Sequence, residues 1–152
     1  MSKTSWKYFE RKIAKNIAGQ WGLTYNENII RTPGSGSMAN FKGDIIVIGE
    51  QFPLHLECKF GYDFSLEDIV KNKAIIKSFI KQAKEDAPSG KVPVVLVSKP
   101  YYGVYAIIST VNVNKTVLKP CKELSFFMIT DKYLVVLVEE LKIVYDRGLL
   151  LV

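Results

Sequence analysis

Three charged residues, Asp44, Glu57 and Lys59, lie in the segment GDIIVIGEQFPLHLECK. Glu57 and Lys59 are two residues apart, so their side chains would share one face of a β-strand. If the apolar run after Asp44 pairs with the run that contains Glu57, the Asp44 carboxylate can reach the same face. Two carboxylates and an ammonium group would then converge, a set suited to metal-assisted hydrolysis.

The expected metal is Mg²⁺, with Mn²⁺ as an alternative, because hard divalent cations bind carboxylate oxygens, water and phosphate. Asp44 and Glu57 would supply two ligands, and the backbone carbonyl of Cys58 could supply a third. Lys59 could orient an attacking water, help to deprotonate it, and offset negative charge in the transition state. The bound ion would act as a Lewis acid and lower the pKa of that water.

The same residues also allow a simpler interpretation. Glu57 and Lys59 could be exposed hairpin residues with ordinary cross-strand pairing, because an E-x-K pattern recurs by chance in many proteins. His55 would share their strand face, but a lone histidine is more often structural, so no role is assigned to it. The elements around the motif must therefore decide between the two interpretations.

The first of these elements is an amphipathic helix predicted over residues 3–21. Apolar residues recur there at steps of three or four; they are Trp6, Phe9, Ile13, Ile17 and Trp21. Glu10 falls on this apolar face, which a salt bridge with a neighbour or a functional role would explain. The basic residues Lys7, Arg11 and Lys15 lie along one side of the helix, where they could touch phosphates or simply face solvent.

Strands and a second helix are predicted to follow. Residues 22–31 have the pattern of a strand, and TPGSGSMAN after it has the composition of a flexible loop. Residues 41–48 and 53–60 are predicted to form a hairpin, in which Pro53 suits only the first position of its strand. Residues 65–87 predict one long helix, opened by a capping pattern of Ser65 and Asp68.

The remaining elements complete an α/β pattern. The apolar run VPVVLVS predicts a central strand covered on both faces. Residues 101–109 and 126–130 predict two further strands, and residues 133–145 fit either a helix or a pair of strands. The predicted order along the chain is one helix, three strands, a second helix and two strands. This order indicates a mixed β-sheet flanked by helices.

Composition sets broad limits on the protein class. A chain of 152 residues with 48% hydrophobic content predicts a single domain over residues 1–152. The net charge of +6 favours an anionic partner such as nucleic acid, although basicity also serves solubility. Cys58 and Cys121 are too few and too distant to predict a disulfide framework. The sequence lacks signal-peptide and membrane-spanning patterns, so a soluble cytoplasmic protein is expected.

Over roughly residues 5–108 the chain resembles the PD-(D/E)xK nuclease superfamily, specifically its archaeal and phage Holliday junction resolvase branch. The motifs that carry the resemblance occur in the order FER, R-x-x-G-S-G-S, K-G-D-I, L-E-C-K and V-P-V-V-L-V-S. It implies a restriction-endonuclease-like fold of order αβββαββ, with residues 110–152 as a C-terminal extension that could build a dimer surface. In place of the family's proline before the motif aspartate, this chain has Gly43.

The resemblance also assigns roles to individual residues. Glu10 corresponds to a helical metal-site glutamate, while Asp44, Glu57 and Lys59 correspond to the acidic pair and the lysine. The family's positions for phosphate contact and for a mobile loop fall on Arg31, Ser35 and Ser37. Lys42, next to the motif, is a further candidate for DNA contact, whereas Gln82 lies off the main apolar stripe of its helix and stays doubtful.

The expected function is a metal-dependent, homodimeric endonuclease that resolves four-way DNA junctions by paired nicks. A restriction-type or repair endonuclease that cuts duplex or flapped DNA is the main alternative, since the sequence barely separates the two. A non-catalytic DNA-binding module is a third possibility, but it would be expected to have lost one of the motif residues. A phage or mobile-element origin, in a bacterial, archaeal or phage-infected cell, follows from the resemblance.

Overall fold

A seven-stranded mixed β-sheet forms the centre of the molecule. The computed structural model describes residues 3–32, 44–48, 52–99, 103–117 and 123–151. The strands are β1 (Ile29–Arg31), β2 (Ile45–Val47), β3 (Leu54–Lys59), β4 (Val92–Lys99), β5 (Gly103–Ser109), β6 (Phe127–Ile129) and β7 (Tyr133–Leu137). Their order across the sheet is β1-β2-β3-β4-β5-β7-β6.

Four α-helices cover the two faces of this sheet. They are α1 (Lys3–Trp21), α2 (Leu66–Val70), α3 (Ala74–Asp86) and α4 (Leu141–Asp146). Three short 3₁₀-helices, Thr110–Asn112, Lys115–Val117 and Val138–Glu140, connect elements in the C-terminal third. Among the described residues, no helix combines the length and the apolar character that crossing a bilayer requires.

The strand directions explain why two helices lie between β3 and β4. These two strands pair in parallel, with Glu57 opposite Val95, whereas all other neighbouring strands pair antiparallel. A parallel pair needs a crossover connection, and here α2 and α3 provide it. β4 is the fourth of seven strands, so the prediction of a central strand from VPVVLVS is confirmed.

Each face of the sheet has its own hydrophobic cluster. On one face, Phe9, Ile13 and Ile17 of α1 pack with alternate residues of the strands and with α4. On the other face, Ile76, Phe79 and Ile80 of α3 pack against the intervening strand residues. This three-layer arrangement confirms the predicted α/β fold, a mixed sheet flanked by helices consistent with a restriction-endonuclease-like architecture.

The first helix was predicted with its observed bounds, but two other elements were not. Residues 65–87 do not form one helix: α2 ends at Val70 and α3 begins at Ala74. Asn72 between them has a φ of 52°, a left-handed conformation that a continuous helix cannot contain. The predicted capping pair at the start of α2 is present, because Ser65 and Asp68 bond each other's backbone N–H groups.

The strand predicted over residues 22–31 was too long. Only Ile29–Arg31 pair with β2, since the preceding residues form a turn in which Asn26 has a φ of 69°. The predicted hairpin is confirmed in its described part, where β2 and β3 are antiparallel with Ile45 opposite Leu56. Residues 41–43 lie outside the described residues.

The C-terminal third continues the sheet. β7 pairs with β5 through five residues and is buried over most of its length, while β6 forms the edge beyond it. The ambiguous pattern of residues 133–145 thus becomes a strand followed by a 3₁₀-helix and α4. Residues predicted as an extension beyond the nuclease core therefore pack in the same sheet, and Leu141 and Val144 join the cluster beneath α1.

Candidate active site

The β2–β3 hairpin brings Asp44 and Glu57 to the same end of the sheet. Asp44 directly precedes β2, and its backbone N–H donates to the Leu56 carbonyl at 3.2 Å. Its side-chain Oδ2 accepts a hydrogen bond from the Cys58 N–H at 2.7 Å. The side chains of Asp44 and Glu57 are both buried, at 7% and 3% exposure. The short hairpin therefore fixes both carboxylates relative to one backbone segment.

A cavity of about 320 Å³ opens at this point. It is lined by Trp6, Asp44, Glu57, Cys58, Lys59, Phe60, Gly61, Tyr62 and Gln82. The acidic pair and the lysine predicted from the sequence thus share one cavity. Trp6 belongs to α1 and Gln82 to α3, so the cavity lies where both helical layers meet the C-terminal end of β3.

Burial and negative charge raise the pKa of Asp44 from 3.8 to about 7. Loss of solvation is the largest cause, and the nearby carboxylates of Glu57 and Glu10 act in the same direction. The Cys58 N–H and the Lys59 ammonium oppose it. A cluster of acids that holds a proton near neutral pH lacks sufficient positive charge, and a divalent cation would supply it.

The Cys58 side chain takes no part in this cavity's chemistry. It packs in the core on the α1 side of the sheet, and burial raises the pKa of its thiol well above the ordinary value. A neutral, buried thiol is a poor metal ligand and a poor nucleophile. The sequence predicts a contribution from the backbone carbonyl of Cys58 and not from its side chain. Cys58 is among the residues that line the cavity.

Glu10 is buried as its inward position predicted, and it forms an ion pair. Its side chain is fully buried, and Oε1 accepts a hydrogen bond from Nε of Arg31 at 2.7 Å. The Arg31 guanidinium also lies over the Trp6 ring, 5.1 Å from its centroid. Arg31, predicted as a phosphate contact, is therefore held between an acid and an aromatic ring of α1.

Lys59 is held by two residues of α3. Its Nζ donates to Oε1 of Gln82 at 2.5 Å and lies 5.4 Å from the centroid of the Phe79 ring. The sequence does not predict a role for Gln82, because this residue lies off the main apolar stripe of its helix. A usable signal was present nevertheless: Gln82 lies one helical turn from Phe79 and next to Ala83, both of which are buried against the sheet.

The sequence assigns no role to His55, yet its side chain contacts Glu57 of the acidic pair. Its Nε2 lies 3.0 Å from Oε1 of Glu57, and both side chains are buried. The spacing of two residues on β3 predicted the shared face, but it could not predict burial or contact. The other predicted DNA contacts, Ser35, Ser37 and Lys42, lie outside the described residues.

The donor set limits how a metal could be held. In the described part of the chain, no group of three or more His, Cys, Asp or Glu side chains is placed to hold one ion. Asp44 and Glu57 instead form a pair, and Mg²⁺ commonly binds one or two carboxylates and completes its shell with water and phosphate oxygens. Hard oxygen donors beside a cationic lysine fit such an ion.

Comparison with protein families assigns most of the chain to one family. The model of the family described as "Phage putative PDDEXK endonuclease" matches residues 1–143. The comparison with curated proteins and the comparison with solved structures found no match. The matched region includes all seven strands and every residue that lines the cavity. The chain belongs to this phage PDDEXK endonuclease family, which implies a nuclease that acts on DNA and generally uses a divalent metal.

Proposed function

We propose that the protein is a Mg²⁺-dependent endonuclease that cleaves four-way DNA junctions by paired nicks. The observation that carries the catalytic part is the convergence of Asp44, Glu57 and Lys59 on one cavity. Phosphodiester hydrolysis needs a polarised water and a positive charge near the phosphate. A divalent cation held by the two buried acids would supply the polarised water, and the Lys59 ammonium would supply further positive charge in the same cavity.

Asp44 and Glu57 would hold the Mg²⁺, or Mn²⁺, together with the backbone carbonyl of Cys58. When bound, the ion would polarise the phosphate and lower the pKa of an attacking water. Asp44 must lose its proton to act as a ligand, and the cation would favour that loss. The negative charge of Glu10 helps to raise the pKa of Asp44, and Glu10 itself is paired with Arg31. Glu10 would therefore add negative charge to the same site.

Lys59 would act on the water and on the phosphate. Oε1 of Gln82 accepts a hydrogen bond from the Lys59 Nζ at 2.5 Å, which limits the positions that the ammonium can take. A fixed cation stabilises developing negative charge without first having to reorganise. In the reaction, the water oxygen would bond to phosphorus as the P–O bond to the leaving sugar oxygen breaks. The water would give one proton to solvent, and the leaving oxygen would take one up.

The sequence motif that begins at Arg31 supports four-way junctions as the substrate. The R-x-x-G-S-G-S motif resembles the junction resolvase branch, and Ser35, Ser37 and Lys42 would contact phosphates from this segment. A homodimer with two active sites related by a two-fold axis would nick opposing strands. Recognition through phosphates and junction shape would depend strongly on salt and little on sequence.

A duplex or flap endonuclease is the second candidate, because the family match names an endonuclease without specifying a junction substrate. The active-site chemistry would be the same in both cases. Only the geometry of the DNA would differ. A non-catalytic DNA-binding module fits less well, because both carboxylates and the lysine are present on the cavity wall.

A nicking assay would test this function. Wild-type protein would be incubated with a synthetic four-way junction or with linear duplex of the same arms, in Mg²⁺ or EDTA. Asp44→Asn is the inactive variant, and Asp131→Asn, at an exposed turn, is the matched control. We expect symmetric nicks in the junction that require Mg²⁺, disappear in Asp44→Asn and persist in Asp131→Asn.

The possible outcomes separate the candidates. Equal cutting of the linear duplex would favour the general endonuclease over the junction resolvase. Binding without cutting by the wild type would contradict the catalytic assignment and favour the DNA-binding module. Cutting that persists in Asp44→Asn would place the reaction elsewhere in the chain.

A further inference from the structure

The first helix carries most of the net charge of the protein. Residues 3–21 contain five Lys and Arg residues and a single acid, Glu10, in a chain whose total charge is +6. Glu10 is buried and paired with Arg31 of β1, so it does not offset the cations at the surface of its own helix. The solvent-facing side of α1 is therefore a concentrated positive surface.

One lysine of each other helical segment is arranged differently, whereas Lys77 and Lys84 of α3 resemble the cations of α1 in having no ion pair among the described residues. Each of these helical segments pairs a surface lysine with an acid one turn away; the pairs are Lys71–Glu67 at 2.5 Å, Lys81–Glu85 at 3.9 Å and Lys142–Asp146 at 2.7 Å. Within the described ranges, no ion pair engages the exposed cations of α1, which are Lys7, Arg11, Lys12 and Lys15. What distinguishes α1 is that its one acid, Glu10, is buried, whereas α3 carries Glu85 and Asp86 outside the core.

The geometry of α1 places the cations in a line. Lys7, Arg11 and Lys15 are spaced by four residues, so they follow one side of the helix over about 12 Å, at 1.5 Å per residue. One strand of duplex DNA carries a phosphate charge per roughly 3.4 Å of the helix axis, so such a line spans about three or four phosphates of that strand. The Lys15 ammonium also lies 5.4 Å from the centroid of the Tyr25 ring, which restricts its position.

This line of cations begins next to the candidate active site. Trp6, the residue before Lys7, lines the cavity, and Glu10, the residue before Arg11, pairs with the Arg31 guanidinium that lies over the Trp6 ring. The cations then extend along α1 away from the cavity. A DNA strand with one phosphate in the cavity would have its neighbouring phosphates within reach of this face.

We propose that the exposed face of α1, formed by Lys7, Arg11, Lys12 and Lys15, binds the sugar–phosphate backbone of DNA that flanks the cleaved bond. The proposal rests on the proposed nuclease function, and it assigns the surface that holds the substrate beside the cavity. Lysine and arginine contact phosphates without reading bases, so this surface contributes affinity and orientation but no sequence preference.

A salt titration of DNA binding tests the surface independently of catalysis. All proteins would carry Asp44→Asn to prevent cleavage. The test protein adds Lys7→Gln, Arg11→Gln and Lys15→Gln. The control adds Lys71→Gln, Lys81→Gln and Lys132→Gln, which remove the same charge from exposed positions elsewhere. Glutamine has a helix propensity close to that of lysine and arginine, so both triple variants should stay folded.

The expected result is a difference in the slope of log affinity against log salt. Each phosphate contact contributes about −0.9 to this slope, so the slope of the α1 variant should be less negative than the parent's by up to roughly 2.7. The affinity of the variant at low salt should also be lower than the parent's. The control should keep the parent's slope. In the cleavage-competent background, the α1 variant should show a raised KM and an unchanged kcat, because the residues bind phosphates away from the reacting atoms.

Three results would overturn the proposal in distinguishable ways. If the α1 variant has the parent's slope of log affinity against log salt, the proposed DNA-binding surface is contradicted, but the proposed nuclease function is not. Equal losses in the α1 variant and in the control would show a general charge effect rather than a site. A parent protein that binds neither junction nor duplex DNA would overturn both this surface and the proposed function.

Discussion

The imidazole of His55 lies against the carboxylate of Glu57, with Nε2 3.0 Å from Oε1. Both side chains are buried, and they occupy neighbouring positions on the same face of β3. The contact engages one carboxylate oxygen of Glu57 and leaves the other for a cation. Hydrogen bonds of this kind orient metal-binding carboxylates.

His55→Leu should therefore weaken Mg²⁺ binding. Loss of a group that orients a ligand typically lowers metal affinity by about 10- to 100-fold, so half-maximal activity should require correspondingly more Mg²⁺. His55→Gln retains a donor and should lose less. Activity measured against Mg²⁺ concentration checks this, and recovery of His55→Leu at saturating Mg²⁺ separates a role in orientation from misfolding.

The single histidine of the chain offers a direct readout of the same contact. Its imidazole NMR signals should shift on addition of Mg²⁺ in the wild type and should respond less in Glu57→Gln. If His55→Leu and the wild type show the same Mg²⁺ dependence, the 3.0 Å contact has no function in metal binding.

The raised pKa of Asp44 predicts that the metal-free protein becomes less stable as pH rises from about 4 to about 7. Over this interval the folded state keeps a proton that the unfolded state has released, so higher pH favours unfolding. Asp44→Asn does not titrate, and its amide oxygen can still accept from the Cys58 N–H. In EDTA near pH 8 we expect this inactive variant to be more stable than the wild type by roughly 1–3 kcal/mol.

Urea denaturation in EDTA at about pH 5 and about pH 8 measures this difference. Added Mg²⁺ should stabilise the wild type more than Asp44→Asn, and more so at the higher pH, because the ion binds the deprotonated carboxylate. Parallel pH profiles for the two proteins in EDTA would contradict the raised pKa.

Gln82→Ala should lower kcat by roughly tenfold, since a hydrogen bond to a charged group contributes about 1.5–3 kcal/mol and this one is solvent-exposed. The Lys59 ammonium would lose the acceptor that limits its position, while its charge would remain. Lys81→Ala, the neighbouring exposed position on α3, is the matched control and should leave kcat unchanged. A change in KM alone would instead indicate that Gln82 contacts the DNA.

Arg31→Ala should destabilise the fold by about 2–4 kcal/mol, because it removes a cation paired with a fully buried carboxylate. Glu10→Gln in the same protein should restore part of the loss by removing the buried charge. Arg147→Ala is the control, since its partner Glu123 is exposed and such pairs contribute about 1 kcal/mol or less. Additive effects of Arg31→Ala and Glu10→Gln on the free energy of unfolding would show that the two residues are not coupled.

Local patterns in the sequence were sufficient for the first helix, the β2–β3 hairpin and the central strand. The helix period of α1 also predicted that Glu10 points inward, and alternation on β3 predicted that Glu57 and Lys59 share a face. These predictions succeeded because period and burial are coupled within a single element. They failed at Asn72, where one residue with positive φ divides a helical pattern that is otherwise continuous.

The sequence by itself thus determined the fold class and the residues that could form an acidic site. Only the tertiary structure decided which partners those residues have: Arg31 for Glu10, Gln82 for Lys59 and His55 for Glu57. It also placed β7 inside the sheet, beside β5. The reason is that pairings between elements depend on how the layers pack, and spacing along one strand or helix carries no information about a side chain that arrives from another.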